Sequence, residues 1–169
     1  MDPIARIRPG GPTDIPVILG LFDRAVEWLV AQGRTGQWGD KPWSANPKAV
    51  SMVEKYVTTG TPWIAELDGE AIGTLTLTDA PGSYVKPAGE PERYVHLLAA
   101  RHGSGAGRAL LAHAAAETRS QGISLLRVDC YAGGDGKLVA YYERNGFTRT
   151  EAFVEGDGAW PGQVLARRV

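Results

Sequence analysis

Apolar positions along this chain change period several times, and each change marks an element. Ile15, Ile18, Leu19, Phe22, Val26 and Leu29 recur at helical spacing, and the run stops at Gly33. Thr13 is placed to cap that helix, Asp14 suits its positive end, and Pro16 is tolerated in a first turn. Ahead of it, residues 4–8 alternate weakly before Pro9-Gly10-Gly11-Pro12, which predicts a short strand and a turn. Residues 33–47 form a loop rich in Gly, Pro and Trp. Asn46 and Pro47 then open a second helix that carries Val50, Val53 and Val57 and ends at Gly60. Residues 62–67 and 71–78 flank Asp68-Gly69, a strong local hairpin signal.

A loop with Pro81, Pro87 and Pro91 leads to Tyr94-Val95-His96-Leu97-Leu98-Ala99-Ala100, a nearly continuous apolar strand. Residues 101–108 are rich in glycine and run into an Ala/Leu-rich helix that reaches Gly122. Residues 123–130 read as another buried strand. Gly133-Gly134-Asp135-Gly136 opens a helix that ends at Asn145-Gly146, and residues 147–154 and 163–169 supply two last strands. There is no internal repeat. The order β-α-α-β-β-β-α-β-α-β-β predicts a mixed α/β domain, one central sheet with helices against its faces.

The 169 residues suit a single domain spanning 1–169. With 18 basic and 19 acidic side chains the net charge is −1, which argues against a protein that coats nucleic acid. Cys130 is the one cysteine, so neither an internal disulfide nor a cysteine-based metal cluster can form. The apolar runs fall far short of the ~18 residues of a membrane span. Met1-Asp2-Pro3 leads directly into strand-like sequence, without a basic segment followed by an apolar stretch, so no signal peptide is expected. These features predict a soluble cytoplasmic domain. The 22 glycines and 11 prolines demand either many turns or loops with a special task.

One such loop is His102-Gly103-Ser104-Gly105-Ala106-Gly107, set between a strand and a helix. Unpaired N–H groups and the helix dipole favour an anion there, and a Cβ would block close approach of the backbone. A P-loop needs lysine and then Ser/Thr at the loop's end, where Arg108-Ala109 stand. A dinucleotide site needs G-x-G-x-x-G/A, and the sixth position is Arg108 or Leu110, depending on register. A plain helix start with glycines for tightness is a further reading, and an acyl-CoA pyrophosphate site is another.

For the last of these, the segment resembles the Arg/Gln-x-x-Gly-x-Gly/Ala signature of the GCN5-related N-acetyltransferase (GNAT) family. Gly105 and Gly107 match its glycines, while His102 stands at its first position with Arg101 one residue early. A second match lies downstream, where Asp135-Gly-Lys-Leu138-Val-Ala-Tyr141-Tyr142-Glu-Arg-Asn-Gly146-Phe147 is similar to the family's Asn-x-x-Ala-x-x-Phe/Leu-Tyr-Glu-x-x-Gly-Phe. Asp135 replaces the usual Asn and Leu138 the usual Ala. The order of elements also resembles the family over essentially the whole chain.

The resemblance implies acetyl transfer from acetyl-CoA, as acyl donor, to a primary amine by direct attack in a ternary complex. It implies cofactor contacts at Leu98, Ala99, Ala100, His102, Gly103, Ser104, Gly105, Ala106, Gly107, Arg108, Asp135, Leu138 and Tyr141. A backbone N–H between Leu97 and Ala100 is the implied donor to the developing oxyanion. Tyr142, four residues before Gly146, stands at the family position of the acid that protonates the leaving thiolate; core packing with its hydroxyl tied off is the other description. A base must relieve the amine of its proton. His96 resembles a strand histidine of the serotonin acetyltransferase branch, and an unperturbed pKa near ~6.5 suits that task. Glu92, just upstream, is its rival. Cys130, without a base beside it in sequence, reads as a small core residue.

In this family the acceptor pocket is built by the segments that correspond to residues 33–47, 79–92 and 155–163. They carry Trp38 and Trp43, expected here to bind substrate, with Trp160 and the carboxylates Asp40, Asp79, Glu90, Glu92 and Asp157. Aromatics with carboxylates suit a cationic small-molecule amine; packing tryptophans and solvated charges are the alternative. A catalytically silent CoA-binding or regulatory module on the same fold is the rival function, and a nucleotide-dependent oxidoreductase is a third. Exposed C-terminal strands are compatible with a homodimer.

Overall fold

The computed structural model describes residues 5–156 and 160–169. Its strands are β1 (Arg6–Pro9), β2 (Thr61–Leu67), β3 (Glu70–Thr78), β4 (Arg93–Ala100), β5 (Leu125–Tyr131), β6 (Thr148–Glu155) and β7 (Trp160–Arg168). Its helices are α1 (Ile15–Ala31), α2 (Pro47–Thr59), α3 (Ala106–Ser120) and α4 (Lys137–Arg144). The elements follow the order that the sequence pattern predicts. The seven strands form one sheet in the order β1-β2-β3-β4-β5-β7-β6. Every neighbouring pair is antiparallel except β4 and β5, which are joined through α3. A parallel neighbour needs such a crossover, because a tight turn can only reverse the chain.

Helices cover both faces. On one face Ala106, Leu110, Leu111, Ala114 and Ala115 of α3 and Val139 and Tyr142 of α4 pack on Leu75, Val95, Leu126, Val128 and Leu165. On the other, Ile18, Phe22 and Val26 of α1 and Val53 and Val57 of α2 pack on Ile64, Leu97 and Ala99. Gly73 allows α3 close to the sheet, since a Cβ there would lie 3.0 Å from Leu110 Cδ1. Asn46 caps α2 by accepting a hydrogen bond from the Lys48 amide at 3.0 Å. Thr13 does not cap α1. It lies in a 3-10 turn over Pro12–Asp14, and Asp14 is the capping residue by position. The Asp14 carboxylate is instead spent on Arg8 (2.8 and 3.2 Å) and the Gly11 amide (3.0 Å).

Two irregularities interrupt the central strands. The parallel ladder covers Arg93–Val95 of β4 against Leu126–Val128 of β5 and ends there. Beyond Val95 and Val128 no ladder joins the two strands, and the sheet splays open. In the same stretch β4 carries a bulge. Thr74 pairs with Ala99 and Thr76 with His96, so Leu97 and Leu98 together oppose Leu75. Leu97 has φ +53°, the left-handed region that non-glycine residues rarely occupy. The bulge also reverses the alternation of the strand. Val95 faces α3, but Leu97 and Ala99, two and four residues on, face α1 and α2.

Glu92 is a fixed part of this framework. It is 4% exposed, and its two carboxylate oxygens accept from Arg127 Nε at 2.7 Å and Nη2 at 2.9 Å. The Ala88 amide donates to it as well, at 2.9 Å. The pair ties the loop before β4 to β5. Removing Glu92 leaves the buried Arg127 with only the longer contact to Glu151, at 3.8 Å, for a carboxylate, so Glu92→Ala should cost about 3–5 kcal/mol of stability in chemical denaturation.

Candidate active site

The splay between β4 and β5 opens a cleft of about 1110 Å³. It runs from the glycine loop at the start of α3, past the ends of both strands, to an aromatic wall from α1, α2 and the loops. Past Val95, the β4 groups that face β5 have no ladder partner, and Leu98, Ala99 and Ala100 line the cleft there. A strand edge without a partner must find its hydrogen bonds in water or in a ligand.

At one end, Gly103 and Gly105 hold left-handed φ of +73° and +76°, and Gly105 caps α3. The Ala106 amide is taken by Ser104 Oγ at 3.2 Å, and the first intrahelical bond runs from Ala109 to Gly105 at 3.1 Å. The Gly105, Gly107 and Arg108 amides therefore belong to the unpaired first turn. Gly103, Gly105, Gly107, Arg108, His102 and Arg101 line this end. A Cβ on Gly107 would run into the Tyr141 hydroxyl, and the space in front of the amides stays open because glycine is there. This backbone cradle fits a pyrophosphate by its chemistry.

Not every expected contact lies on the cleft. The side chains of Ser104 and Ala106 are turned into the loop: Ser104 Oγ donates to the Arg101 carbonyl at 2.7 Å, and Ala106 is buried beneath Gly73. Asp135 belongs to a smaller cavity of about 360 Å³ next to the cleft, with Leu138 between the two. The Asp135 carboxylate accepts from the Lys137 amide at 3.1 Å and pairs with Arg34 at 3.0 Å, closing the α4 start onto the loop after α1. Tyr141 lines the cleft beside Gly107.

Tyr142 is 5% exposed and lines the cleft from the α3/α4 face of the sheet. Its ring meets Phe147 edge-on at 5.9 Å. The hydroxyl makes no hydrogen bond to another described residue, so it is not tied off by packing. Burial pushes its pKa well above the ordinary phenol range, which keeps the proton on oxygen at neutral pH. Cys130 lies nearby, buried, with burial pushing its thiol up to about 12; it is the inert core residue its sequence context predicts.

His96 and Glu92 depart from the expectations set for them. Glu92 does not reach the cleft; both its oxygens are used by Arg127, so it is not placed to act as the base. His96 does line the cleft, yet its pKa is not unperturbed. Burial, with the Lys55 charge adding to it, pulls it down to about 4 against the opposing hydrogen bond to Ala80, and the ring stacks on Tyr56 with centroids 4.0 Å apart. Its Nε2 lies 3.1 Å from the Ala80 carbonyl, which can only accept, so that nitrogen carries the proton.

At the other end, Trp38 lines the cleft, and Trp43 does so while lying flat on Phe22 at 4.0 Å, 8% exposed. Trp160 donates from Nε1 to the Gln37 carbonyl at 2.9 Å and joins the β7 start to this wall. Tyr56 and Tyr84 add two phenols here, whereas Trp28 stacks on His102 at 4.3 Å back at the glycine-loop end. Of the loop carboxylates named from the sequence, none of the described ones lines the cleft. Glu90 pairs with Arg168, Asp40 and Asp79 do not line the cleft, and Asp157 lies outside the described residues. Asp129 and Glu155 face it instead. Alternation along β5 is the signal for Asp129: Val128 and Cys130 belong to the α3 core, so the residue between them faces α2.

A histidine held neutral by the fold takes up a proton only in the unfolded chain between its two pKa values. Stability therefore falls as pH drops from about 6.5 towards about 4. In denaturation curves between pH 7 and 4.5, the protein should lose about 1–3 kcal/mol more than His96→Gln does.

Comparison with known proteins bears on this geometry. No curated protein matches the sequence. Among solved structures, an acetyltransferase of the GNAT family from Listeria monocytogenes 4b F2365 superimposes with a TM-score of 0.71 at 18% identity, over 98% of this chain and 95% of that one. A ribosomal-protein-alanine N-acetyltransferase from Brucella melitensis gives 0.66 at 16% identity, over 97% and 99%. An IAA acetyltransferase from Bacillus cereus ATCC 14579 gives 0.65 at 18% identity, over 98% and 99%. At these identities the likeness is one of fold. Residues 23–147 match the model of the acetyltransferase (GNAT) family, and this chain belongs to that family.

Proposed function

We propose that this acetyltransferase takes the acetyl group of acetyl-CoA and passes it to the primary amine of a small molecule, by direct attack within a ternary complex. The observation that carries the reading is the continuity of the cleft. The glycine cradle, the unpaired edge of β4 and the aromatic wall with Asp129 and Glu155 share one space. Acetyl-CoA would supply an activated thioester there. The amides at the start of α3, with Arg101, His102 and Arg108 beside them, would hold its pyrophosphate. The strand edge at Leu98–Ala100 offers N–H groups to a carbonyl oxygen whose negative charge grows under attack. Tyr142, protonated at neutral pH, is the donor for the departing sulfur.

The acceptor end supports a cationic amine. Two carboxylates face it among Trp38, Tyr56, Tyr84 and Trp160, and aromatic faces attract an ammonium group. A small molecule suits the closure of this end by the Trp160–Gln37 contact.

Thiol release from acetyl-CoA across a panel of small primary amines tests the reading. Turnover with at least one amine is expected, and tight binding of acetyl-CoA with no turnover on any amine would overturn it in favour of a silent module. Tyr142→Phe should lower kcat by at least about tenfold while the acetyl-CoA dissociation constant stays nearly unchanged. Gly107→Ala should act the other way. Its methyl drives the Tyr141 hydroxyl from its place, so calorimetry should show acetyl-CoA bound about tenfold more weakly by a protein that still folds.

A further inference from the structure

The geometry points to Asp129 as the group that receives the acceptor's ammonium and takes its proton, a catalytic residue of the acceptor half of the cleft. The inference rests on the acetyl-transfer reading. Three observations carry it.

The first is position. The last rung of the parallel ladder pairs Val95 with Val128, and Asp129 is the next residue of β5. It stands where the strands part. The alternation of β5 turns it to the α2 side, while Tyr142 approaches the same opening from the α4 side. A thioester lying in the splay would have Asp129 on one face and the Tyr142 hydroxyl on the other.

The second is the way the carboxylate is held. Oδ2 accepts from the Tyr94 hydroxyl at 2.6 Å and, at a longer 3.4 Å, from that of Tyr84. Both bonds fall on one oxygen. Oδ1 has no partner among the described residues, and it is not an enclosed atom. One oxygen is anchored and the other is free on the cleft. A structural carboxylate such as Glu92 shows the contrast, with both oxygens consumed by arginine.

The third is electrostatic. The groups that face Asp129 are the Tyr84 and Tyr94 hydroxyls, Tyr56 from α2, Arg127 from its own strand, Glu155 from β6 and the Cys130 thiol and Tyr142 behind it. Burial, with Glu155 adding to it, raises the Asp129 pKa above the ordinary carboxylate value against the opposing pull of the two phenols and Arg127. His96 shifts the other way. His96 commits its Nε2 proton to the Ala80 carbonyl, whereas Asp129 keeps Oδ1 open on the cleft for the amine.

Atoms and electrons balance across the step. The ammonium donates one proton to Asp129 Oδ1, which returns it to solvent. The freed nitrogen lone pair forms the C–N bond to the acetyl carbon, and the C–S electron pair leaves on sulfur. Sulfur takes the Tyr142 proton, and the second nitrogen proton restores that phenol through solvent. The products are the amide, the thiol and one proton.

The experiment uses the intact protein and an amine accepted in the thiol-release panel. Asp129→Asn should lower kcat/KM at least 100-fold at pH 7 while acetyl-CoA binding changes less than twofold. The deficit should shrink as the pH is raised towards the acceptor's own pKa, where free amine is already present. The acidic limb of the kcat/KM profile should persist in His96→Gln. Tyr84→Phe removes a hydrogen bond to the carboxylate, so it should move that limb to higher pH. The Tyr84 variant gives the answer where Asp129→Asn does not fold. Retention of activity within threefold, a deficit constant across pH, loss of the limb in His96→Gln or an unmoved limb in Tyr84→Phe each overturn the proposal. An intact protein that acetylates no amine sinks the acetyl-transfer reading itself, and the role of Asp129 falls with it.

Discussion

Two parallel strands that pair for three residues and then part are the constraint on which this molecule turns. A sheet gains from continuing its ladder, and every unpaired buried backbone group is costly. Here β4 and β5 abandon theirs after Val95 and Val128. The rest of the architecture makes that tolerable. The β5 edge that faces away is fully paired with β7, from Leu125 to Tyr131. The β4 edge that faces away is paired with β3, apart from the bulge at Leu97 and Leu98. The opening is thus narrow, walled by firm strands and polar along its backbone, while the side chains above and below it are largely apolar or aromatic.

The bulge adds a second consequence. By inserting one residue, it sends Leu97 and Ala99 to the α1/α2 core and leaves the end of β4 twisted away from β5. The left-handed φ of Leu97 is the conformational cost of that turn. Strain of this kind persists only where packing over-determines it, and Leu97 is buried among side chains from both helices. Bulge and splay act on the same few residues, so the region with the least ladder hydrogen bonding is also the one that His96, Asp129 and Tyr142 line.

Burial separates the two carboxylates near this point by fate. Glu92 and Asp129 both lie near Arg127, one just before β4 and one on β5. Arg127 neutralises Glu92 with two short bonds and locks the loop to the sheet. Asp129 receives phenols rather than a cation, on one oxygen, and keeps the other for the cleft. Burial makes the Asp129 charge harder to keep, while Glu92 has no oxygen left over, and that difference separates a strut from a carboxylate open to the cleft.

The sequence alone determined the elements, their order and the cradle. Local rules govern all three: the Asp68-Gly69 turn, the Asn46 cap, the 3.6-residue spacing on α1, and glycines where a backbone turns left-handed ahead of α3. It also set Tyr142 and Tyr141 one residue apart on a helix, and so on different faces, one towards Phe147 and one towards Gly107. What the tertiary structure decided is which polar groups meet. Arg127 lies 35 positions from Glu92, and Tyr94 lies 35 from Asp129. No local pattern separates a carboxylate that will find a guanidinium across the sheet from one that will find a phenol. The pKa of His96 was equally out of reach, because it depends on burial beneath residues distant in sequence, with Tyr56 of α2 lying over the ring. Spacing in sequence fixes the face on which a side chain emerges; register between strands fixes its partner, and the partner fixes its chemistry.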